Sequence, residues 1–66
     1  MKFDPTKPPA NVQEALTSAL YLAITAPTDK QERDAAELAQ YFASMVTKGD
    51  IKRAKDTARA AAMVRL

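Results

Sequence analysis

Large apolar residues recur at helical spacing in two dense runs, parted by a proline, and in a sparser third run after the only glycine. Val12, Leu16, Leu20 and Ile24 repeat every four residues, with Ala15, Ala19 and Ala23 beside them. That period describes one face of a helix, drifting slowly round its axis. Asn11 stands three residues before Glu14, the arrangement of a capping box with Asn as the cap. Pro27 forces Ala26 out of helical geometry. The pattern predicts a first helix over 12–26.

Ala35, Leu38, Ala39, Phe42, Met45 and Val46 form a second apolar face. Thr28 with Gln31, or Asp29 with Glu32, supplies its cap. Asp29, Glu32, Asp34 and Glu37 outnumber Lys30 and Arg33 in its first turns, which suits the positive end of a helix dipole. Lys48 suits the negative end. Gly49 accepts the left-handed conformation that closes a helix, so a second helix is expected over 29–48. Asp50 then caps a third helix over 51–64, with Ile51, Ala54, Ala58 and Ala61 on a narrow, flat face. Lys52 and Asp56 are spaced as an i,i+4 ion pair. Met63, Val64 and Leu66 add bulk at the end. The expected fold is all-α: a small three-helix bundle forming one domain, 11–66, with 28–66 a hairpin hinged at Gly49-Asp50. The spacing of Gly49, Ala54 and Ala61 resembles the turn and second helix of a tetratricopeptide hairpin over about half a repeat. The Trp, Leu-Gly and downstream Pro positions of that family are absent. The likeness is one of hairpin packing.

Residues 1–10 read as an extended, proline-rich arm, because Pro5, Pro8 and Pro9 forbid a regular helix. Phe3 is its candidate anchor in a groove between helices.

Composition narrows what such a bundle can do. Fourteen of the 66 residues are alanine, the best helix former but a poor source of apolar area. A domain this short is marginal alone and usually needs a staple. With no cysteine and no histidine, disulfides, zinc fingers, iron–sulfur clusters and haem ligation by the usual residues are excluded. Association with itself or with a partner is the staple that remains. No run approaches the length of a membrane span and Met1-Lys2 opens no signal-peptide core, so the expected location is cytoplasmic.

Charge is divided unevenly. From Asn11 to Thr28 the only charged residue is Glu14. Either helix 1 is central to the bundle, or its outer face is a contact surface, since interface cores are depleted in charge and enriched in aromatics and Met. The second reading assigns the contact face to Tyr21, Leu22, Tyr41 and Met45. The other end of the chain is basic. Lys48, Lys52, Lys55 and Arg59 fall at steps of four, three and four, Arg53 sits beside them and Arg65 extends them. The row suits nucleic-acid phosphates. The reading preferred is plain solvation at a helix end whose dipole favours cations, since Asp50 and Asp56 dilute the field and no aromatic is interleaved for base stacking.

Catalysis is not expected. The commonest general base and the best nucleophile are missing, Ser18 and Ser44 have no evident base, and one glycine builds no phosphate loop. No cofactor or metal site is expected. The chain therefore reads as a small, non-enzymatic protein–protein interaction module, a regulator, adaptor or inhibitor, that self-associates into a homo-oligomer. The alternative is a nucleic-acid-binding protein using Lys48, Lys52, Arg53, Lys55 and Arg59.

Overall fold

A computed structural model of the protein describes residues 10–64. These residues form three helices, α1 (Val12–Thr25), α2 (Asp29–Ala43) and α3 (Lys48–Val64), and no strand. The arm over residues 1–9, with Phe3, lies outside the described residues, as do Arg65 and Leu66.

The first two helices begin where their caps require. Asn11 is extended (φ −156°, ψ 176°) and its Oδ1 accepts a hydrogen bond from the Glu14 N–H at 2.9 Å. Glu14 returns the favour one residue early, its Oε1 accepting from the Ala10 N–H at 3.5 Å. Ala26 is extended ahead of Pro27 (φ −61°, ψ 132°), so α1 stops at Thr25. Thr28, not Asp29, is the cap of α2: its Oγ1 accepts from the Gln31 N–H at 3.2 Å.

The junction between α2 and α3 differs from the expected one. α2 ends at Ala43, five residues before the expected end, and α3 begins at Lys48. The last turn of α2 tightens: Met45 N–H donates to the Phe42 carbonyl at 3.0 Å and Val46 N–H to that of Ala43 at 3.4 Å. The Ser44 hydroxyl donates to the Tyr41 carbonyl at 2.7 Å, satisfying one terminal acceptor. Thr47 then starts α3. Its Oγ1 accepts from the Asp50 N–H at 3.2 Å, and Asp50 Oδ2 accepts from the Thr47 N–H at 3.3 Å. This reciprocal pair is a capping box, with Asp in the position usual for Glu. Gly49 lies inside the first turn of α3 and has no positive φ. The hinge is therefore Ser44–Thr47, and the tetratricopeptide-like register, which needs Gly49 in the turn, is lost.

The position of Gly49 sets a test of the junction. A Cβ built there meets only Thr47 Oγ1, at 3.9 Å. Gly49→Ala should stabilise the fold by about 0.5–1 kcal/mol, since glycine in a helix is less favourable than alanine by about that amount. A thermal melt should shift upward by a few degrees, on the order of 4 °C. A downward shift would restore the left-handed hinge.

α1 is the central element. Both α2 and α3 pack on it, while α2 and α3 scarcely meet. The buried cluster is Leu16, Ala19, Ala39 and Ala54, with Leu20, Phe42, Ala43, Val46 and Ile51 partly buried around it. Leu16 is the one large side chain that is fully buried among the described residues. On α3 the buried positions are alanines, Ala54 and Ala58, so that helix lies close against α1. Val12 and Ile24, at the two ends of the predicted α1 stripe, are part exposed because a strict four-residue repeat drifts off one face. Thr17 and Thr25 return their hydroxyls to the carbonyls of Gln13 and Tyr21, each at 2.9 Å. Gln13 Nε2 donates to the Asp50 carbonyl at 2.9 Å, which ties the starts of α1 and α3 together at one end of the bundle. Its Oε1 is buried without a hydrogen-bond partner, which offsets part of that gain.

Candidate interaction surfaces

Three of the four predicted contact residues are presented to solvent, and one is not. Leu22 is 53% exposed, Tyr41 59% and Met45 49%, whereas Tyr21 is 6% exposed and belongs to the core. The side of α1 that carries Tyr21 is covered by its neighbours, and a buried phenol supplies mainly apolar area there. Centrality of α1 therefore accounts for most of its missing charge, and Leu22, with Val12 and Ile24 near the helix ends, is what remains of its apolar surface.

Leu38 takes the place of Tyr21 on the surface. The sequence pattern sets it on the core face of α2, but it is 45% exposed. Its position was legible in one respect. Gln31, Asp34, Leu38 and Tyr41 follow one another at steps of three and four, so Leu38 shares a row with two polar residues at the edge of the buried face. With Leu22 it lines a groove of about 430 Å³ between the end of α1 and the start of α2, floored by Ala26, Pro27 and Ala35. Tyr41 lies one turn further along the same row. Its ring meets that of Phe42 edge-on, centroids 5.4 Å apart and planes at 63°. Phe42 packs on the core cluster, so the contact braces an exposed ring from beneath. Met45 follows in the turn after α2. Leu22, Leu38, Tyr41 and Met45 thus form an apolar surface carried by α1 and α2.

The basic row lies on α3. Lys48, Lys52, Lys55 and Arg59 are all exposed and fall within an arc of about 60° on the helix. The row is about 16 Å long at 1.5 Å per residue. Ala54 and Ala58, which face α1, lie roughly a quarter to a third of a turn away. Arg53 does not belong to this row. It is turned to Asp50, whose Oδ1 accepts from its guanidinium at 3.2 Å, the single ion pair among the described residues. The expected Lys52–Asp56 pair does not form, in keeping with the less favourable order of a base preceding an acid at i,i+4.

The shifted junction changes what this row means. Lys48 opens α3 instead of closing α2, and α3 has no basic residue in its last described turn. The row thus begins at the positive end of the helix dipole, where Lys48, the one member in the first turn, is unfavourable by about 0.3–1 kcal/mol. Its members also stand at i,i+3 and i,i+4 from one another, where like charges cost a few tenths of a kcal/mol per pair. The dipole gives no reason for cations here.

Among the described residues no three acidic groups come together as a metal site, and no helix is long and apolar enough to cross a membrane. The chain matches no known protein family, and neither a curated protein nor a solved structure resembles it significantly.

Proposed function

We propose that this protein is a small, non-enzymatic interaction module of the cytoplasm, a regulator, adaptor or inhibitor in type, that works as a self-associated unit through the α1/α2 face. The observation that carries this reading is the solvent-facing set Leu22, Leu38, Tyr41 and Met45 beside a core that fully buries one large side chain. Tyr and Met are enriched where proteins meet and charge is depleted there; Asp34 is the one charged residue that lines the groove. The occupant proposed is a second copy of the chain. Two adjacent helices of 14 and 15 residues offer a face about 21 Å long and about 20 Å wide, a footprint of roughly 400 Å². Over the pair that is about 800 Å², below the roughly 1,200 Å² of a standard specific interface and in the range of weak, transient encounters, so the dimer is expected to be micromolar at best. A two-fold pairing is self-complementary: each groove receives apolar side chains from the other copy. The same contact supplies the apolar burial that a chain of this length lacks.

Sedimentation equilibrium tests this. At about 100 µM, well above a micromolar dissociation constant, the expected mass is twice the 7.2 kDa of the chain. Tyr41→Glu should return the mass to 7.2 kDa with the helical circular-dichroism signal unchanged, because Tyr41 is exposed in the monomer. A wild-type mass of 7.2 kDa at every concentration would overturn the self-association.

A further inference from the structure

We infer that the row Lys48, Lys52, Lys55 and Arg59 on α3 binds the phosphate backbone of double-helical DNA without reading its sequence. The inference stands apart from self-association, which uses the opposite pair of helices.

Four observations meet on this row. The cations are aligned, exposed and unneutralised, since the ion pair of α3 is spent between Asp50 and Arg53. Lys48 is set against the helix dipole, and the four repel one another at i,i+3 and i,i+4, so local helix electrostatics give no reason for the row. They are held rigidly, because the neighbouring face of α3 is locked on α1 through fully buried Ala54 and Ala58. And α3 stands free of α2, so its outer side is open along its length. A straight, rigid row of point charges about 16 Å long matches a regular polyanion.

The chemistry of the row selects among polyanions. An anionic membrane would require an apolar helix face to enter the lipid, and that face of α3 is alanine and already occupied by α1. Single strands are held by aromatic stacking, and no aromatic residue lies on α3. Planar, two-pronged contacts to a base edge suit Arg, Asn and Gln; three of the four members here are lysine, which lacks that fork and meets phosphate as a point charge. The major groove of B-DNA admits an α-helix, whereas that of duplex RNA is too narrow.

The test is fluorescence anisotropy with a labelled 24-base-pair DNA duplex and the full chain, at 50, 100 and 200 mM KCl. Four phosphates neutralised per engaged protomer give a slope of log K on log salt of about −3.6, so affinity should fall roughly 100-fold from 50 to 200 mM. The double variant Lys52→Gln, Lys55→Gln should halve the slope while keeping its circular-dichroism spectrum. Lys30→Gln, on α2, should leave both affinity and slope unchanged. No binding at 50 mM, a slope that the double variant does not move, or tighter binding to an RNA duplex or to phosphatidylserine vesicles would each overturn the inference. Sedimentation in the same buffers keeps the two readings separate: a dimer that ignores DNA defeats only this one, and a monomer that binds it leaves this one intact.

Discussion

Leu16→Ala should leave the chain largely unfolded at 25 °C. Leu16 is 1% exposed, sits on the central helix, and packs with Ala19, Ala39 and Ala54, one contact from each of the three helices. The buried members beside it are alanines, which are anchored by backbone, so only the partly buried Leu20, Phe42, Val46 and Ile51 around the cluster could relax toward a void. Removal of a buried leucine side chain costs about 3–5 kcal/mol when the cavity cannot collapse. A domain of this size gains rarely more than about 3–5 kcal/mol from its core. The two figures are equal within their spread, so the substitution removes nearly all the stability available. The measurement is far-UV circular dichroism at low micromolar concentration, where self-association contributes least. Leu38→Ala is the control. Leu38 is half exposed, so its truncation should cost less than about 1 kcal/mol and leave the spectrum unchanged. Equal melting of the two variants would mean that the hydrophobic centre is not at Leu16.

The contrast between these two leucines marks what was legible in the sequence. Both lie on apolar stripes of helical period, and periodicity alone treats them alike. Their difference arises from how many helices close over each position, and that is a property of the assembled bundle. Local signals fared better. The caps at Asn11 and Thr28 and the stop at Pro27 depend on side chains within four residues of the backbone groups they satisfy, and all three act as their chemistry requires.

Where two local signals compete, the backbone can satisfy only one. Met45 and Val46 prolong the apolar period of α2, and Gly49 offers a left-handed stop. Against them stands Thr47, three residues before Asp50. The box wins because it satisfies two amide donors at once, at 3.2 and 3.3 Å, whereas a left-handed Gly49 would leave Asp50 to cap alone. This choice moves Lys48 from the end of one helix to the start of the next. The basic row is thereby deprived of its simplest explanation, and a change of five residues in a helix boundary bears directly on function.

The uneven charge of α1 resolves in the same structural terms. A helix packed on two sides has little surface on which to display Lys or Glu, and Glu14, its sole charged residue, serves the N-terminal cap. The exposed part of the predicted contact set is therefore narrower on α1 than the sequence suggests, with Leu22 as its member there. The surface extends instead along α2, through Leu38 and Tyr41.

Ala54→Leu should also destabilise the fold, by less than Leu16→Ala and by the opposite route. Ala54 has no exposed surface and faces the buried Leu16 across the α1/α3 contact. A leucine there adds three carbons where the helices meet through a methyl group. Overpacking of this kind costs about 1–3 kcal/mol, through backbone displacement and off-rotamer side chains. At roughly 4–8 °C per kcal/mol for a chain of this size, the melting temperature should fall by on the order of 10 °C or more. Displacement of α3 would also lengthen the Gln13–Asp50 hydrogen bond, which at 2.9 Å is the polar tie between the two helix starts. A differential-scanning melt of Ala54→Leu beside Ala60→Leu separates wedge from composition, since Ala60 is exposed on the same helix and its substitution should be nearly neutral. If Ala54→Leu instead raised the melting temperature, the α1/α3 contact would have room for the larger side chain. The thin core would then be loosely packed, and close approach through alanine would not be what holds α3 in place.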